Sequence, residues 1–186
     1  MKGTKGEQAK QCLIETAARL FLRKGYSSTG INDILSEADM SKGSFYFHFS
    51  SKKDLGFEVA RYYGKTTLDQ WLEPLSENPW DVFIKKMIFD IKTSVAEGTY
   101  FGCPLAVLGL DISFVDDDLS KTYAGGIIRL MSIFSKSLQL SGLTEEQAKE
   151  VSRRAFAIYE GHVLYYKISK DESAFDCMLK DLLSLV

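Results

Sequence analysis

Histidine, cysteine and proline are all scarce in this chain, and each scarcity removes a class of function. Two histidines, His48 and His162, in 186 residues leave little from which to build a metal site or a histidine-based catalytic triad. Three cysteines, Cys12, Cys103 and Cys177, are odd in number and far apart. They form neither a disulfide framework nor a C-x-x-C pair suited to zinc. Three prolines and 14 glycines leave no room for a long flexible linker. The longest central apolar run, residues 103–110, is far too short to span a bilayer. Lys2, Lys5 and Lys10 make a basic start, but Glu7, Gln8 and Gln11 fall where a signal peptide needs its apolar core. A soluble, cytoplasmic protein is the expectation. A glycine-rich phosphate loop and a recognisable nucleophile motif are missing as well, so neither an enzyme nor a bound cofactor or metal is expected.

What is present is helix. Alternating apolar–polar segments are absent, and the apolar period is helical nearly throughout. Leu13, Ala17, Leu20 and Phe21 form one stripe over residues 9–24, with Arg23 and Lys24 in its last turn and Gly25 as its stop. Short helices are predicted at 31–38 and 41–48. Ser51-x-x-Asp54, a near capping box, opens a longer one that runs to about residue 71. Asn78-Pro79 and Gly102-Cys103-Pro104 open two more, ending near 98 and 114. Three further helices are predicted at 118–140, 145–169 (from the capping box Thr144-x-x-Gln147) and 173–185. The fold class is therefore all-α with nine helices. A boundary falls around residues 50–56, dividing a domain at 1–55 from a body at 56–186.

Charge is unevenly shared between these parts. The first 55 residues carry nine Lys/Arg against six Asp/Glu, and the rest carry fourteen against nineteen. A mildly basic head on an acidic body is weak support for contact with nucleic acid through the head. It also argues against a non-specific DNA-coating protein.

Residues 31–48 read as two short helices joined by a tight turn, the geometry that lays a second helix in the major groove. Ile34, Leu35 and Ala38 can pack against Phe45 and against the stripe at 13–21. Phe47 and Phe49 also read as packing residues. Lys42, Gly43, Ser44, Tyr46 and His48 are left to face outward. A lysine and a serine can address phosphates or base edges, a glycine admits close backbone approach, and Tyr46 and His48 can hydrogen-bond phosphates. Lys52 joins them at a helix start that favours anions. Lys53 reads as an ordinary solvated charge.

The order and spacing of these residues resemble the DNA-binding domain of the TetR family over residues 7–55. Lys24-Gly25-Tyr26, then Thr29 and Ile31-Asn32-Asp33-Ile34, are similar to its first half. Ser41-Lys42-Gly43-Ser44-Phe45-Tyr46-Phe47-His48-Phe49 and Ser51-Lys52-Lys53-Asp54-Leu55 are similar to its most recognisable segment. By that resemblance Lys42, Gly43 and Ser44 face bases, and Thr29, Asn32, Tyr46, His48 and Lys52 meet the DNA backbone. Two residues depart from the pattern: Gly30 stands where a second Thr or Ser is common, and Asp39 where the turn usually has Gly. Asp tolerates a left-handed conformation better than most residues.

The resemblance implies a homodimeric transcriptional regulator, by family tendency a repressor, that binds a near-palindromic double-stranded operator and is released by a small-molecule effector. Dimer contacts are expected through residues 145–185. Candidates are Ala155, Ile158, Tyr159, His162, Val163 and Tyr166 on one helix and Phe175, Met178, Leu179, Leu182 and Leu183 on the other. Phe83, Met87, Tyr100, Phe101, Cys103, Leu108, Tyr123 and Ile127 are the candidate walls of an effector pocket. The segment 100–105 also resembles a Gly-Cys segment of a family subset whose cysteine reacts with oxidants or electrophiles, which makes a sensor acting through Cys103 the alternative. A structural cysteine at a packed helix start is the competing account, and His162 reads as an ordinary polar group.

Overall fold

A computed structural model describes residues 4–186; Lys2 of the basic start lies outside them. Among the described residues the regular structure is helical, without a strand. The helices are α1 (Lys5–Lys24), α2 (Ile31–Ala38), α3 (Lys42–His48), α4 (Lys52–Tyr63), α5 (Trp80–Ala96), α6 (Pro104–Ser113), α7 (Asp117–Leu140), α8 (Glu145–Ser169) and α9 (Ser173–Leu183). After Tyr63, α4 continues through wider, π-helical turns at Gly64–Leu72 and one last α turn at Glu73–Leu75. The chain packs as two compact units. One holds the chain up to Lys65 together with Pro104–Gly126, and the other holds Thr66–Cys103 and Ile127–Val186.

In the first unit α1 begins earlier than the apolar stripe predicts. Thr4 caps it, its hydroxyl accepting from the Glu7 amide at 3.3 Å while the Glu7 carboxylate accepts from the Thr4 amide at 2.7 Å. Leu13, Ala17, Leu20 and Phe21 are buried, and α2 and α3 pack on this stripe. Gly25 ends the helix at φ 95°, a conformation that favours glycine. Ser51 caps α4 by accepting from the Asp54 amide, and Tyr63 donates to the Ala18 carbonyl at 2.9 Å, which ties α4 to α1. Lys53 is paired rather than merely solvated: its ammonium lies 2.9 Å from Asp116 and 3.3 Å from Asp118.

The second unit has an aromatic centre. Trp80, Phe83 and Phe134 lie with ring centroids 5.6–5.8 Å apart, and the Trp80 indole donates to the Leu182 carbonyl at 2.7 Å. Helices α8 and α9 pair along their length, aided by His162 Nε2 at 2.9 Å from the Asp181 carboxylate. Both are less available to a partner than their apolar content implies. Ala155, Tyr159, Val163, Phe175, Met178 and Leu182 are buried within the protomer. The apolar surface of α8 that stays exposed is Ala157, Gly161, Leu164, Tyr165 and Ile168.

Candidate nucleic-acid interface

Helix α3 is short, and its orientation depends on what holds its inner face. Phe45 has no exposed surface and packs 5.6 Å from Phe49, which is also buried. The turn before it is set by Asp39, whose φ of 52° and ψ of 50° are the left-handed pair expected at this position. The Met40 amide donates to the Leu35 carbonyl at 3.0 Å, closing that turn. The Ser41 hydroxyl accepts from the Ser44 amide at 3.2 Å and caps α3.

With the inner face anchored, Lys42, Gly43, Tyr46 and Phe47 share an outer face, at spacings of four along a helix. Tyr46 is 58% exposed and Phe47 is 81% exposed. Phe47 is thus a surface residue and not the packing residue its apolar character suggests, because α3 has only one inward stripe and Phe45 fills it. Ser44 and His48 are half-buried on the flanks, and the His48 ring stands edge-on to Phe47 at 4.9 Å. Asn32 is exposed on the first turn of α2.

Of the eight expected contact residues, Thr29 is buried and Lys52 is half-buried. In Thr29 the hydroxyl donates to the Gly25 carbonyl at 2.7 Å and the amide to Tyr26 at 3.2 Å, so no donor is left for a phosphate. The Lys52 ammonium donates to the Tyr26 carbonyl at 2.9 Å and the Thr29 carbonyl at 3.0 Å, and it sits 4.3 Å over the Tyr26 ring. Burial lowers its pKa, partly opposed by Asp111. Thr29 and Lys52 together brace the loop between α1 and α2, while the half-buried Lys52 ammonium, with a third N–H beyond these two bonds, stays a candidate phosphate contact. The Gly30 amide, at the second departure from the motif, is taken by the Asp33 carboxylate at 2.7 Å.

The expected pocket residues are divided between the units. Phe83 and Met87 are closed core of the second unit, where Cys103 is also buried and Tyr100, Phe101 and Ile127 are half-buried. Leu108 and Tyr123 belong to the first unit and have no exposed surface. Cys103 is only 2% exposed. A thiol reagent is therefore expected to modify it far more slowly in the native protein than in the unfolded chain. Equal rates in the two states would remove the structural account and favour a sensing cysteine.

This geometry agrees with comparisons to known proteins. Residues 13–59 match the family model of bacterial regulatory proteins of the TetR family. Residues 82–180 match that of the LmrA/YxaF-like transcriptional regulator C-terminal domain. An uncharacterised helix-turn-helix-type transcriptional regulator from the lacX 3′ region of Lactococcus lactis is 30% identical over 178 residues, covering 91% of this chain and 90% of its own. LmrA of Bacillus subtilis, a transcriptional regulator of the same type, is 26% identical over 171 residues and is covered to 89%, as is this chain. The crystal structure of a TetR-family regulator from Agrobacterium tumefaciens superimposes with a TM-score of 0.86 at 19% identity, over 98% of this chain and 99% of that one. The chain belongs to the TetR family of bacterial helix-turn-helix transcriptional regulators, with an LmrA/YxaF-like C-terminal part.

Proposed function

We propose that this regulator is a homodimeric repressor that reads a near-palindromic operator and is released by a small molecule. Residues 1–55 are assigned to the operator and residues 56–186 to dimerisation and effector binding. The observation that carries the reading is the outer face of α3: a lysine, a glycine, a tyrosine and a phenylalanine held toward solvent by an anchored inner face. Lys42 suits phosphate or guanine, Gly43 permits close approach, and Tyr46 can donate to phosphate. Phe47 adds an apolar surface suited to a thymine methyl. Ser44, His48 and Asn32 remain candidate contacts at the edges. Two such helices meet successive major grooves when their separation matches one turn of DNA, about 34–36 Å. An effector that binds better to a dimer with another separation releases the operator.

The dimer is assigned to α8 and α9 within residues 145–185. Ala157, Gly161, Leu164 and Ile168 repeat at four, three and four residues, the spacing of a helix–helix seam. A groove of about 500 Å³ between α8 and α9, floored by Ala157 and Gly161, adjoins it. Repression accords with the names of two relatives, the repressors DhaR of a Mycobacterium strain and NemR of Escherichia coli.

Operator DNA selected from a random pool tests the reading. Tyr46→Phe removes one hydroxyl and is expected to weaken binding by about 1.5–3 kcal/mol, the worth of a hydrogen bond to a charged group. Lys42→Ala is expected to weaken binding and to lower the salt dependence by roughly one phosphate contact per half-site. Wild-type affinity in Tyr46→Phe at several salt concentrations would remove that contact from the interface.

A further inference from the structure

The body contains a buried polar cluster that core packing does not explain. On α8, Glu160 projects next to the stripe formed by Ala155, Tyr159 and Val163, and its Oε1 is shut off from solvent without a hydrogen-bond partner. The Cys103 thiol is within hydrogen-bonding reach of the same carboxyl. Tyr100 and Tyr159 are its other polar neighbours, and their two buried phenol groups face one another within hydrogen-bonding reach. All four residues belong to the second unit. A carboxyl in such a place is costly, since burying an ionised group without a counter-charge costs several kcal/mol in general. Burial pushes its pKa up to about 7, against a smaller opposing effect of the thiol.

The surroundings indicate what could satisfy it. The Tyr100 ring lies 6.1 Å from Tyr166 and 5.9 Å from Phe175, and those two rings are 4.6 Å apart. Aromatic faces attract cations and interact weakly with anions. The chain's own Lys170 ammonium already sits 5.8 Å over the Tyr166 ring. A carboxylate oxygen lacking a donor, beside aromatic rings and a phenol, offers charge, π-faces and hydrogen bonding to one kind of guest. Glu160 and Tyr100 keep some exposure as residues although Glu160 Oε1 and the Tyr100 hydroxyl are covered, so the cluster lies just beneath the surface.

We infer that this cluster is the effector site and that it takes a small organic cation, an amine or quaternary ammonium carried on an apolar or aromatic body. Glu160 supplies the counter-charge, Tyr100 and Tyr166 supply ring faces, and the Cys103 thiol orients the carboxyl. The inference rests on the proposed effector role of the body, and it adds the chemical class of the ligand.

The test uses DNA-free full-length protein and two probes of one shape: phenyltrimethylammonium and its neutral isostere tert-butylbenzene. Calorimetry or thermal shift is expected to show the cation bound by wild type, at least tenfold more weakly by Glu160→Gln, and with substantial recovery in Glu160→Asp. The neutral probe should bind wild type and Glu160→Gln alike. Equal cation affinity in wild type and Glu160→Gln, or an isostere bound by wild type as tightly as the cation, overturns the inference. Thermal melting of each variant without ligand shows that the folds are comparable. Operator binding by ligand-free wild type is measured separately. Its failure would strike the repressor reading and leave the cation result standing.

Discussion

Gly161→Arg is expected to convert the protein to a monomer and to weaken operator binding by roughly 10²–10⁴-fold, the range that linking two binding modules typically contributes. The glycine sits in the middle of α8, where it costs about 0.5–1 kcal/mol relative to alanine. The protomer gives no reason for it. A Cβ at this position meets nothing within 4 Å, and the backbone is ordinary helix. Arginine is a good helix former, so the protomer should fold as well as before or slightly better. What a long charged side chain would obstruct is the close approach of a second copy to the Ala157–Gly161 floor. The same substitution at Gly125, also mid-helix and open but on α7, is the control and should leave both properties unchanged. Sedimentation at micromolar concentration and operator titration read the outcome. A Gly161→Arg protein that remains dimeric and keeps its operator affinity would remove this seam from the interface.

Charges at Tyr159 or Leu182 would be poor probes of the same question. Apolar periodicity marks both as candidate interface residues, yet they are 5% and 0% exposed in the protomer. A charge there breaks the fold before it can break a dimer. Periodicity identifies the apolar stripe of a helix but not whether its own chain or a second copy covers it. For α8 the stripe through Ala155, Tyr159 and Val163 turns inward, and the weaker, small-residue seam through Ala157 and Gly161 faces out.

The helix-turn-helix was legible because its signals are local. Ser41 caps α3, Asp39 takes a left-handed turn and Phe45 points inward, and each depends on residues within a few positions. The capping box at Thr4 and Glu7 is equally local, but the apolar stripe alone starts the helix at residue 9 and misses the extra turn that the box adds. For Thr29 and Lys52 the sequence shows only half of the surroundings. Partners 4 to 26 residues away decide their side chains: Gly25 takes the single hydroxyl donor of Thr29, and Tyr26 and Thr29 take two of the three N–H donors of Lys52. The cluster around Glu160 left no trace in the sequence. A carboxylate flanking an apolar stripe is ordinarily solvated, and only the fold brings Tyr100 and Cys103, from the loop between α5 and α6, over this one.

That covered carboxyl also makes stability depend on pH in an unusual sense. Relative to Glu160→Gln, the wild type is expected to lose about 2–3 kcal/mol of unfolding free energy between pH 4.5 and pH 8. In the unfolded chain Glu160 releases its proton near 4.5, while in the folded protein it holds the proton to about 7. Between those values the native state binds the extra proton, so stability falls as pH rises. Below 4.5 both states are protonated and the penalty vanishes; above 7 it is complete. The rise from 4.5 to about 7 sets a ceiling of roughly 3–4 kcal/mol, at about 1.36 kcal/mol per tenfold change in proton affinity, and partial exposure of the residue reduces it. Glutamine has the same shape and does not titrate, so the wild-type-minus-variant difference cancels every other group. Denaturant unfolding at fixed protein concentration, at pH 4.5 and pH 8, gives that difference directly. As a melting-temperature gap it corresponds to roughly 5–10 °C at pH 8. A gap independent of pH would mean that the carboxyl is solvated, and a gap of opposite sign would mean that it already has a cationic partner within the chain. The expected sign leaves the carboxylate without that partner at neutral pH, and a bound cation would then recover up to the same 2–3 kcal/mol, a factor of roughly 10²in affinity.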